Sequence, residues 1–173
     1  MNIVTKFALA TDESTDILLK LVHKLLAEKY SQLLDSKQLQ EYIEKYYNRK
    51  YFVSEMNSMF NQSLVVYADN MAVGYAKVTS RGKVPESLNN KRAVRIADFS
   101  ILKSFMEPEI QESLFQKCFS VCKYVEGIWI NEYKENPILE FFENKGFLRQ
   151  AEKFELDDIP LSSICLIYQN RPQ

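Results

Sequence analysis

Glu107, Glu109 and Glu112 crowd around Pro108 at the point where a helix should begin. Proline suits the first turn of a helix, where its missing N–H would have had no partner, and acidic groups there offset the helix's partial positive charge. Such a terminus is already neutralised and is a poor seat for an anion. Asp98 lies on an apolar stretch with Arg95 three residues before it. Its carboxylate can hold a proton in transit or pair with a cation or solvent. Arg81, Lys83, Lys91 and Arg92 punctuate a polar run, which reads as a solvated surface or as a seat for an anionic ligand. Cys118 and Cys122 are four apart, but with His23 as the sole imidazole they fall short of a zinc set and read as buried thiols in a reducing compartment. Glycine appears four times, at Gly74, Gly82, Gly127 and Gly146, and no two are close enough to build a phosphate-cradling loop.

The elements that must hold these groups follow from periodicity and punctuation. Thr11–Ser14 offers helix caps before an apolar repeat from Ile17 to Leu26, predicting a helix to about Tyr30 with His23 beside its apolar stripe. A second helical pattern starts at Ser36 and runs through Tyr46, Tyr47, Tyr51 and Phe52 towards Phe60, with a break near Asn48; its aromatics read as packing. Residues 64–67 and 72–78 form strands around Asp69-Asn70, residue types that tolerate the positive φ of a tight turn. Residues 93–105 read as a long strand, 108–124 as a helix, 127–130 as an apolar strand and 137–145 as a helix closed by Gly146. Strands over 147–156 and 161–168 complete the chain. The order is strand, two helices, three strands, helix, strand, helix, two strands, which implies α/β (α+β) architecture with a mixed sheet and helices on its faces.

Composition sets the outer limits. The 173 residues, 46% of them apolar, predict one domain over 1–173 with a single core. With 22 basic against 23 acidic residues, neither nucleic acid nor an anionic membrane surface is the expected partner. No run approaches the roughly 20 apolar residues of a membrane span, so the expected location is cytoplasmic.

The segment from Ile128 to Phe147, with Phe141-Phe142, three residues, then Gly146-Phe147, resembles the strand–helix unit of the GCN5-related N-acetyltransferase (GNAT) family. The hairpin through Ala72-Val73-Gly74-Tyr75-Ala76 is similar to that family's second and third strands, so the resemblance covers roughly residues 64–156. It implies a mixed, mainly antiparallel sheet with helices on both faces and transfer of an acyl group from acetyl-CoA or another acyl-CoA to an amine, without a metal. The acceptor would be a small molecule or peptide, and a homodimer is the analogy the family offers.

Carried over residue by residue, the resemblance puts Ile101-Leu102 at the end of the fourth strand and the pyrophosphate loop on Met106-Glu107-Pro108-Glu109-Ile110-Gln111. The family's loop has a basic or amide residue and two glycines, where this chain has Met106, Glu109 and Gln111. Side chains obstruct the close backbone approach that glycine permits, so acetyl-CoA binding is expected to be weakened, or lost in favour of a non-catalytic binding role. The family's CoA-contacting asparagine aligns with Glu135, with Asn136 one residue displaced, and the family's thiolate-protonating tyrosine is Phe142, which has no hydroxyl. Asp98 is the expected general base by analogy, ahead of Glu132 and Tyr133.

Overall fold

The computed structural model describes residues 1–156 and 158–170. Its strands hydrogen-bond in one seven-stranded sheet in the order β1-β2-β3-β4-β5-β7-β6, with five α-helices. The sheet is mainly antiparallel; β4 with β5 is a parallel pair. By its contacts the chain resolves into two compact units, Met1–Val78 with Asp98–Ser120, and Thr79–Ala97 with the chain from Val121 onward.

The first unit opens with β1 (Ile3–Phe7), which pairs antiparallel with β2 (Asn61–Ala68). Between them lie three helices. α1 (Asp12–Tyr30) starts where Thr11 Oγ1 accepts the Ser14 N–H, and it buries Leu18, Leu21, Val22, Leu25 and Leu26 along one stripe. α2 (Ser36–Tyr46) starts with a capping box between Asp35 and Gln38. α3 (Arg49–Met56) starts from Asn48, whose Oδ1 accepts the Tyr51 N–H at 2.9 Å. The expected break is therefore a helix boundary, made because Asn48 competes for backbone donors better than it extends a helix. Asp69 and Asn70 take φ of 46° and 68° at the turn from β2 into β3 (Met71–Thr79), as their types suggested.

β4 (Ala93–Ile101) is shorter than the strand expected to Phe105, because Lys103–Phe105 closes into a 3-10 turn in which the Phe105 N–H reaches the Leu102 carbonyl. α4 (Pro108–Val121) follows, with Ile110, Leu114 and Cys118 fully buried.

In the second unit β5 (Gly127–Tyr133) pairs with β7 (Ser163–Gln169) along its whole length. α5 (Ile138–Asn144) is ended by Gly146 at φ 92°, the left-handed conformation that closes a helix without a Cβ penalty. The strand expected over 147–156 contracts to β6 (Leu148–Arg149), since its register with β7 covers those two residues alone. Leu88, Trp129, Cys165 and Ile167 make a buried cluster, with Val84, Ala93 and Phe154 packed against it.

Candidate functional site

Asp98 sits half-buried on β4 and accepts a hydrogen bond from the Tyr47 hydroxyl at 3.0 Å. Tyr47 is directed inward by the α2–α3 boundary: it follows the last residue of α2, has left helical geometry at φ −131°, and is 7% exposed. His23 fixes that turn from α1, its Nε2 lying 2.8 Å from the Tyr47 carbonyl. A carbonyl can only accept, so the imidazole carries its proton on Nε2 in this contact. Burial, then the Asp98 charge, pushes the Tyr47 hydroxyl well above the ordinary phenol range. The phenol is thus a committed donor, which leaves its carboxylate partner as the proton acceptor of the pair.

The surroundings are aromatic and polar in layers. Tyr42 packs against Tyr30, Tyr46 and Tyr47 at centroid distances of 6.2, 5.1 and 5.8 Å. Tyr75, also buried and raised well above the phenol range by burial and then Asp98, shares a hydrogen bond of 2.9 Å with Ser63. Beyond it Lys77 pairs with Glu55 at 3.5 Å, both side chains under one-fifth exposed, and Glu55 also accepts from Asn61. A carboxylate with a buried phenol donor and aromatic walls can orient an amine and take its proton.

At the end of β4, Ile101 and Leu102 are each 5% exposed, and the Leu102 N–H donates to the Val73 carbonyl at 2.9 Å. In the 106–111 segment the backbone donors are largely used internally. The Glu107 N–H donates to Phe105, and the Ile110 and Gln111 N–H groups both donate to the Glu107 carbonyl at 3.1 Å. Pro108 has no N–H. Among the described residues, the Glu109 N–H is the first-turn donor of α4 with no intrachain acceptor. Glu107 and Glu109 are exposed, and Gln111 folds its amide back on the Met106 thioether.

In the second unit Asn136 serves the start of α5. Its Oδ1 accepts the Ile138 N–H at 3.0 Å, and its Nδ2 donates at 3.0 Å to Glu132, which is 6% exposed. Phe142 is fully buried, edge-on to Phe141 and Phe147.

No family model matches this sequence, and no curated protein sequence does. Solved structures do. The PaiA N-acetyltransferase of Thermoplasma acidophilum, in complex with coenzyme A, superimposes with a TM-score of 0.78 over 98% of this chain and 99% of its own at 12% identity. A GNAT-family acetyltransferase from Streptococcus pneumoniae gives 0.68 over 98% and 100% at 10% identity. An acetyltransferase from Streptococcus agalactiae gives 0.67 over 96% and 98% at 12% identity. The chain has the GNAT acetyltransferase fold.

Within the GNAT fold the residues singled out from sequence divide into two sets. Asp98, Ile101, Leu102, Met106, Glu107, Glu109, Ile110 and Gln111 belong to the first unit and run in chain order from β4 into α4. Asn136 and Phe142 belong to the second, where one serves as a helix cap and the other as core. Sequence reading passed over Tyr47 as packing. The signal it offered was position: a tyrosine immediately before a capping asparagine ends its helix and leaves the helical face. Among the described residues no group of three or more His, Cys, Asp or Glu side chains could hold a metal ion, and no helix is long and apolar enough to cross a membrane.

Proposed function

We propose that this chain is a divergent N-acyltransferase of the GNAT type that moves an acyl group from an acyl-CoA to an amine, with acetyl-CoA bound weakly. The observation that carries the reading is the Tyr47–Asp98 pair on a fold shared with acetyltransferases, one of them solved with coenzyme A. Asp98 is the residue assigned to take the amine proton, and Tyr47 holds its carboxylate in place. The acyl donor would supply the activated thioester.

The 106–111 segment does not fit a diphosphate in the manner of a glycine-rich loop. Its donors are mostly spent, and a phosphate about 4 Å from the Glu107 or Glu109 carboxylate would meet repulsion of order 4 kcal/mol per charge pair near a surface. A third of that costs about tenfold in affinity. Ile101, Leu102 and Ile110 would then serve as an apolar floor and not as donors. The same spent donors favour a second reading, a non-catalytic binding module that has kept the scaffold.

Isothermal titration with acetyl-CoA, CoA and longer acyl-CoAs, followed by acyl transfer to an amine panel, separates the two. Millimolar binding with turnover supports the enzyme; silence in both supports the module. A cytoplasmic location and a homodimer belong to the same proposal. The first draws support from three buried cysteines without a disulfide, Cys118, Cys122 and Cys165.

A further inference from the structure

Two of the four cations in the 81–92 run line a pocket with a chemistry of its own. Arg92 is engaged elsewhere, with its Nε 3.6 Å from Glu126 and its N–H donating to the same carboxylate. Arg81 and Lys83 instead border a cavity of about 210 Å³ within the second unit, joined there by Arg95. The parallel register sets Arg95 opposite Trp129, and its guanidinium lies 5.0 Å from the indole centroid; Phe154 packs against the other side of that ring system at 5.3 Å. Three cations over an aromatic wall make a seat for one small anion. At about 30 Å³ per water, the volume suits a molecule of a few heavy atoms and not a nucleotide.

A second observation specifies more than charge. Asn131 also lines the cavity and is 4% exposed; its Nδ2 donates to the Glu155 carbonyl at 3.3 Å. That bond fixes the amide orientation, because the flipped form would set oxygen against oxygen. The Asn131 Oδ1 is then a buried acceptor with no hydrogen-bond partner. A buried acceptor left unsatisfied is costly, and it calls for a donor. The Glu155 side chain, exposed at the same cavity, adds a negative group that also favours a donor-bearing ligand.

We propose that this pocket binds a small carboxylate with a hydrogen-bond donor on its α-carbon, an amino acid or a hydroxy acid. The carboxylate faces Arg81, Lys83 and Arg95, and the α-substituent donates to Asn131 Oδ1. The proposal goes beyond acyl transfer and stands whether or not the chain binds an acyl-CoA.

Isothermal titration of the full chain, with no acyl donor present, against L-alanine, L-lactate and propionate tests it. These three differ in the α-substituent alone: ammonium, hydroxyl or hydrogen. L-Alanine and L-lactate should bind about tenfold or more tightly than propionate, the value of one buried donor–acceptor pair. Asn131→Leu should bring the three within about threefold of one another. Arg81→Gln, on an exposed loop, should weaken all three by about tenfold while keeping their ratio, because it touches the shared carboxylate. Equal affinities in the native chain would overturn the proposal, as would no heat from any acid at tens of millimolar or a ratio that survives in folded Asn131→Leu. If circular dichroism shows Asn131→Leu unfolded, the native ratio and the Arg81→Gln series decide alone.

Discussion

Tyr47 and Asp98 can be separated by how each substitution treats the other's hydrogen bond. Asp98→Asn keeps an acceptor for the buried hydroxyl but cannot take a proton. It should fold with nearly native stability and lower acyl transfer by about 10²- to 10⁴-fold, measured as kcat. Asp98→Ala leaves the phenol unsatisfied and should cost a further 1–3 kcal/mol or so of stability, read from urea midpoints. Tyr47 adds a pH signature. Its folded pKa lies above the ordinary value of 10.0, so the protonated phenol's contribution is fully present below about pH 10 and is lost as pH rises towards the folded value. Stability should therefore fall by about 1.4 kcal/mol per pH unit for this group above pH 10. Tyr47→Phe should flatten that slope by one proton. An unchanged slope would mean that the phenol titrates normally.

Caps and turns were the parts of the fold that the sequence announced, because their determinants are local. Thr11 begins α1, Asn48 divides α2 from α3, Asp69-Asn70 turns the hairpin and Gly146 closes α5, each within four residues of the element it governs. Asp35→Ala should accordingly cost about 1 kcal/mol of stability, in the range of measured helix caps. Strand ends were less legible, since pairing decides them. Residues 150–156 carry enough apolar character to read as strand but have no partner beyond the Arg149 register, and Leu102 ends β4 by offering its carbonyl to a turn. The Tyr47–Asp98 contact, 51 residues apart in sequence, was equally out of reach of local pattern. β3 carries another constraint of this kind at Gly74, where an added Cβ would lie 2.7 Å from Val66 Cγ1, 2.8 Å from Ile101 Cγ1 and 3.0 Å from the Ser100 carbonyl. Gly74→Ala should destabilise by about 1–3 kcal/mol through overpacking beside the strand end that leads into the 106–111 segment.

For the whole molecule, the resemblance to acetyltransferases and the chemistry of one loop point in different directions, and a graft tests which governs. Replacing Glu109 and Gln111 together by glycine removes one charge and two obstructions, and should raise acetyl-CoA affinity by about tenfold or more in a direct titration. No gain would place the defect outside the loop and favour the non-catalytic reading. The three buried thiols bear on the molecule differently. Burial raises Cys122 and Cys165 to about 12 from 9.0, and Cys118 is likewise fully enclosed. A thiol-specific reagent can reach them only when the surrounding structure opens, so the rate of modification becomes a clock for opening and not for sulfur chemistry. Cys118 lies in one compact unit and the other two in the second. Mass-resolved labelling of the native chain would therefore time the opening of each unit separately, with no engineered probe.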